Sequence, residues 1–192
     1  MENIYTKLRE RLDTYSFGFP ATESGIEIKL LKKLFSESDA EFFLNLSLKL
    51  EEPADIAARL NQPVDSIKDI LEDLTSRGLI FRQESAGKVR YGAIPFMHGL
   101  AEFQIKRVDK ELSEIMQKFF KEAYNRNIAD NAEMFLRVIP VQKYIDVERH
   151  IASYNDVEKI LEGMDVIAVT ECLCRKHKKI LGEGCDRPVE TC

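Results

Sequence analysis

Apolar positions recur at helical spacing through the first third of the chain. From about residue 2 to 13, Ile4, Tyr5, Leu8 and Leu12 fall three and four residues apart, which places them on one helix face. Phe17-Gly18-Phe19-Pro20 interrupts the pattern, because proline has no amide proton to continue a helical ladder. A second helix is predicted over Ile26–Leu34. Ser36 then reads as an N-cap, with Asp39 near the positive end of the following helix, which turns Phe42, Phe43 and Leu46 inward. Pro53 suits a helix start, and Ile56, Ala57 and Leu60 form a short stripe behind it. After the turn Asn61-Gln62-Pro63, a longer helix over residues 63–77 carries Val64, Ile67, Ile70, Leu71 and Leu74 on one side. Gly78 stops it, since glycine takes the left-handed conformation at low cost.

Two strand patterns come next, over residues 79–83 and 89–96, separated by the polar loop 84–88. The order helix, short helix, turn, helix, hairpin is that of a winged helix, placed at residues 36–96. A long helix is predicted over residues 97–124, with Val108, Leu112, Ile115, Met116 and Phe119 as its apolar stripe. That stripe suits packing on the winged helix or on a second copy of it, so a homodimer is one reading. The rest alternates: a strand over 135–141, a helix over 155–162 and a strand over 166–170. The expected fold is therefore mainly α with a small β component (α+β). Its parts are N-terminal helices (1–35), a winged helix-turn-helix domain (36–96), a connecting or dimerisation helix (97–130) and a small α/β cysteine-containing segment (131–192).

Composition adds bounds. The chain has 192 residues, 44% hydrophobic and 32% charged, as in an ordinary soluble protein that forms a core without staples. No apolar run approaches the ~20 residues of a membrane span, and residues 1–4 do not read as a secretory signal. A cytoplasmic location with no membrane partner is the resulting expectation. The net charge of −5 gives no general attraction to nucleic acid.

The four cysteines change the picture most. Cys172, Cys174, Cys185 and Cys192 all lie in the last 21 residues, spaced C-x-C, ten residues, C, six residues, C. In a cytosolic chain such clustering suggests thiolate ligands. On an extended backbone Cys172 and Cys174 point to one side, Gly182 and Gly184 allow a sharp turn, and Pro188 stiffens the path to Cys192. Four thiolates then converge on one zinc ion or on the irons of a [4Fe–4S] cubane. Either leaves a net charge of about −2, which Arg175 and Arg187 would offset from the second layer, with Lys176, Lys178 and Lys179 nearby. A solvated basic loop is the plainer reading of that run, and free thiols or disulfides are alternatives to a metal. His177 reads as a surface histidine, though it is near enough to replace a cysteine.

Gly18-Phe19-Pro20-Ala21-Thr22-Glu23-Ser24-Gly25, Gly78-Leu79-Ile80-Phe81-Arg82, Arg137-Val138-Ile139-Pro140-Val141, Cys172-Leu173-Cys174-Arg175 and Gly184-Cys185-Asp186-Arg187-Pro188-Val189-Glu190-Thr191-Cys192 together resemble a family of iron–sulfur proteins from anaerobic microbes. These join a winged helix to a C-terminal ferredoxin-type [4Fe–4S] region, and the resemblance spans nearly the whole chain. It implies redox or electron-transfer work with a protein partner. Family members continue past the equivalent of Cys192 into a ferredoxin-type cysteine run, whereas this sequence stops there. A piece of a longer protein is therefore expected, and such a piece need not retain the cluster.

DNA binding is disfavoured by the helix that would enter the major groove. It exposes Asp65, Asp69, Glu72 and Asp73 against Lys68 and Arg77, and such acids repel phosphates. Arg82, Lys88 and Arg90 on the hairpin are the remaining candidate contacts. No glycine-rich phosphate loop or HExxH is present, and His98 and His150 are isolated, so an enzyme is not the expected reading. The leading expectation is an accessory redox protein. A redox- or metal-sensing winged-helix regulator and a zinc-stabilised structural module are the alternatives.

Overall fold

A computed structural model describes residues 3–126 and 154–191. Helices dominate, with one two-stranded sheet. Helix α1 (Ile4–Asp13) starts at Asn3, whose side chain accepts from the Tyr5 amide, and it buries Tyr5, Leu8 and Leu12. It packs on α2 (Ile26–Leu34) and α3 (Glu37–Leu44). At the start of α3, Ser36 accepts from the Asp39 amide while Asp39 accepts from the Ser36 amide, a reciprocal pair that satisfies two otherwise orphaned donors. The expected cap is therefore present, and Phe43 and Leu46 are buried as expected. Phe42 is only partly buried.

Helix α4 (Pro53–Leu60) ends on Asn61 in the left-handed conformation, and α5 (Val64–Ser76) begins after Pro63. Helix α5 buries Ile67, Leu71 and Leu74. Gly78 has a φ of +67°, and a Cβ there would lie 2.6 Å from the Phe103 carbonyl oxygen. Glycine is thus required both by the turn and by the close approach of residue 103. The sheet pairs β1 (Phe81–Ser85) with β2 (Lys88–Gly92), antiparallel, with Phe81 opposite Gly92 and Ser85 opposite Lys88. Tyr91 also exchanges two 2.9 Å backbone hydrogen bonds with Glu51, so the segment between α3 and α4 lies along the far edge of β2.

Three expectations need correction. The hairpin turn is two residues, Ala86-Gly87, and not the loop 84–88. Both have positive φ (51° and 74°), the twist that matches right-handed strands, so pairing extends to the turn. Leu79 and Ile80 precede the strand and are buried. The long helix over 97–124 is broken. Met97 is extended and His98 left-handed within an irregular wide turn at Phe96–Leu100. A helical turn α6 (Ala101–Phe103) and a 3₁₀ turn (Gln104–Lys106) come after it. Asp109 then caps a new helix, α7 (Lys110–Phe119), by accepting from the Leu112 amide at 2.7 Å. A cap in mid-segment outweighs continuity of the apolar stripe. Residues 166–170 form no strand; Val166 is 85% exposed. A strand needs a hydrogen-bonded neighbour, and none stands beside it among the described residues. The expected strand over 135–141 lies outside the described residues, while the expected helix appears as α8 (Tyr154–Glu162).

The stripe of α7 is buried within its own chain, with α7 packed on α2 and on the C-terminal helix. A cluster of rings joins distant segments: Phe19 lies 4.8 Å from Phe96 and 4.7 Å from Phe119, and Tyr124 meets Phe96 and Phe119 at 5.9 and 5.7 Å. Elsewhere in the fold, Arg77 closes a two-pronged pair on Asp39 (both contacts 2.7 Å) and also meets Asp73. Arg107 and Gln104 bond the carbonyls of Arg77 and Gly78, tying the 3₁₀ turn to the end of α5. The Arg77 guanidinium and the Ser36 cap hold Asp39 down to a pKa of about 2. A carboxylate lowered in the folded state stabilises above its unfolded pKa and loses that contribution as pH falls towards the folded value. With solvent screening of a part-exposed pair, the lowering corresponds to about 1–2 kcal/mol. Asp39→Asn is therefore expected to lower stability by about 1–2 kcal/mol at pH 7 and to reduce the loss of stability between pH ~4 and ~2, read from urea unfolding across that range.

Candidate metal centre at the C-terminal helix

The last helix, α9 (Leu173–Ile180), begins one residue after Cys172, which is extended (φ −77°, ψ 117°). Cys174 therefore sits in the first helical turn, and the expected extended C-x-C is only half realised. Burial first, and then Cys172, push the Cys174 thiol up from its ordinary pKa. The helix seats on α7 through Leu173 and His177, four residues apart on one face. Lys176 reaches the Ile105 carbonyl at 2.9 Å and Glu171 at 2.5 Å. Glu183 is held by Lys178 and by Gln117 of α7.

The path of the chain beyond α9 accounts for its two glycines. Gly182 is left-handed, and its amide and that of Glu183 return to the carbonyls of Lys179 and Lys178, closing the helix end. At Gly184 a Cβ would lie 2.8 Å from the Lys179 Cα, so the chain turns back hard against the helix. Arg175 donates to the Pro188 carbonyl at 2.6 Å, the Cys172 amide donates to the Val189 carbonyl at 2.8 Å, and Glu190 bridges Glu171. Residues 188–190 are thereby pinned beside the start of the cysteine helix. Cys174 and Cys185 line one cavity of about 280 Å³, with Arg175, Lys178, Lys179 and Arg187 in its walls.

Two of the four expected ligands thus share a cavity, and Cys172 does not line it. Cys172, Cys174 and Cys185 are all free thiols. Among the described residues no three His, Cys, Asp or Glu side chains are grouped closely enough to hold a metal ion. Cys192 lies outside the described residues. Thiolates are the donors that soft metals and iron–sulfur cores take, and two thiols share a cavity with four cations in its walls. Arg175 and Arg187 both line the cavity, and Arg175 also clasps the carbonyl of residue 188. His177 corrects an expectation: it is 6% exposed, not a surface residue, because it is the lower half of the face that seats α9 on α7. The i, i+4 spacing of Leu173 and His177 carried that signal, but the strongly polar sequence around it hid the apolar face.

Each candidate nucleic-acid contact is engaged by an acid of its own chain. Lys68 pairs with Asp65 at 3.3 Å, Arg77 with Asp39 and Asp73, and Arg82 with Glu84 at 3.1 Å and Glu72 at 3.5 Å. Lys88 and Arg90 both converge on Glu52, at 2.8 and 3.8 Å. Glu52 and Asp39 come from other elements, so strand and helix patterns gave no sign of these pairs. Among the described residues no helix is long and apolar enough to cross a membrane. Comparison with family models, with curated proteins and with solved structures found no match.

The clasp makes a local prediction. Arg175→Ala should speed amide hydrogen exchange at Cys172 by about tenfold, because the bond to Val189 then opens more often. Exchange followed by NMR reads this directly; an unchanged rate at Cys172 would show that Arg175 does not hold residues 188–190 down.

Proposed function

We propose that this chain is an accessory redox protein whose C-terminal cysteines hold a [4Fe–4S] cluster, and whose residues 36–96 form a winged helix that docks a protein partner. The observation that carries the first half is the shared cavity: Cys174, at the start of α9, and Cys185, after its closed end, line one space walled by four cations. Cations beside an anionic centre lower its burial cost and raise its reduction potential. The cluster, when bound, supplies one-electron chemistry. The protein's part is to present the sulfurs, to hold residues 188–190 against α9 through Arg175, and to screen the charge with Arg187 and Lys179. A zinc site would use the same sulfurs without redox chemistry.

Anaerobic purification of the protein tests this. About four irons and four acid-labile sulfides per chain are expected, with absorbance near ~400 nm that falls in Cys174→Ser and Cys185→Ser. One zinc and no sulfide would replace this reading with the structural module. Free thiols with neither metal would end both.

The order α3, Glu51–Tyr91 bridge, α4, α5, hairpin supports the winged-helix reading. Protein contact is favoured over DNA because the five basic side chains that would reach phosphates are already paired with carboxylates. Binding phosphate would require breaking those pairs as well as overcoming the acids on α5. Duplex DNA at about 50 mM salt should therefore bind no better than the micromolar non-specific range. Tight binding that is weakened by Arg90→Glu would instead favour a regulator.

A further inference from the structure

A second cavity, of about 260 Å³, lies between α6, α7 and α9. Met97, Ala101, Met116, Phe120 and Leu173 make its walls apolar, and the imidazole of His177 is among them. Two thioethers and a phenyl ring are surfaces that accept the face or edge of a planar ring. His177 is 6% exposed, and among the described residues its Nδ1 has no hydrogen-bond partner. Buried polar atoms are normally paired, so an orphaned imidazole beside an apolar space asks for a polar atom from outside the chain. Burial, followed by the charge of Lys178, lowers the His177 pKa, which leaves the ring neutral with one donor and one acceptor nitrogen.

The rim argues against a charged guest. Glu102 accepts from the Gly99 amide at 2.8 Å, Lys178 is taken by Glu183, and Lys121 stands in the same rim as Glu102, with the opposite charge. The volume is just below that of drug-sized pockets, about 300 Å³ and above, so it suits one or two fused rings. We propose that this cavity binds a small, neutral, planar ring bearing a carbonyl oxygen, which the His177 imidazole engages while the methionines and Phe120 hold the ring. Cys174 lines both this cavity and the cationic one, so a bound ring sits next to the candidate thiolate centre. Binding does not depend on that centre holding a cluster, and the two readings can fail separately.

Calorimetric titration of the whole chain with 1-indanone, and with indane as the same ring lacking the carbonyl, tests the site. The ketone should bind about tenfold more tightly than the hydrocarbon, the size of one neutral hydrogen bond. His177→Phe should erase that ratio. The ring ¹⁵N resonances of His177 in the unaltered protein should move during the ketone titration, a readout that stands even if the variant fails to fold. No saturation by either compound, equal affinities, unmoved His177 resonances, or tighter binding of benzoate than of the ketone would each overturn the assignment.

Discussion

The packing of a few aromatic rings governs where everything else can go. Phe19, Phe96, Phe119 and Tyr124 come from a loop after the first helix, the exit of the hairpin, and the end of α7 with the turn beyond it. Each is buried, and ring pairs at these separations contribute about 0.5–1.5 kcal/mol beyond their area. Because the rings come from segments far apart in sequence, they set the position of α7 relative to both the N-terminal helices and the hairpin. Helix α7 in turn is the platform on which Leu173 and His177 seat the cysteine helix. The candidate centre therefore inherits its position from a core that contains none of its ligands.

Charge obeys the same logic at the surface. A chain with 33 acids and 28 basic residues can pair many of its cations internally, and it does so at the places where a nucleic-acid reader would leave them free. Around Cys174 and Cys185 the balance differs. Arg175 clasps a carbonyl and Lys178 meets Glu183, but Lys179 and Arg187 also line the thiol cavity, so positive charge accumulates there. Most exposed ion pairs contribute little to stability. Their distribution matters because the hairpin cations are paired with acids while several cations line the wall of the thiol cavity.

The cysteine segment shows how backbone detail carries chemistry. Gly184 admits the chain against Lys179, the closed end of α9 at Gly182 aims it back, and the bridge at Glu171 and Glu190 fixes its return. These three devices convert a linear spacing of thiols into a shared wall. The apolar cavity on the other side of Cys174 arises from the same seating of α9, since Leu173 and His177 do not fill the space left between Met97, Met116 and Phe120.

Local chemistry was legible in the sequence. The Ser36–Asp39 cap, the stop at Gly78, the turn at Asn61-Gln62-Pro63, the helix stripes and the glycines before Cys185 all depend on neighbours a few residues away, and each is visible as a residue type at a required place. The breaks were not. Asp109 caps a helix in the middle of a continuous apolar stripe, and the stretch 166–170 reads as a strand although no partner stands beside it among the described residues. Pairings across the fold, such as Arg77 with Asp39, Arg90 with Glu52 and Arg175 with residue 188, left no trace in spacing, because sequence separation says nothing about which cation meets which acid or carbonyl. So the chain's composition and periodicity determined most of its helices and where its thiols lie along the chain. Only tertiary packing decided which of those thiols meet and which cations remain near them, because that depends on distances set by buried rings far away in the sequence.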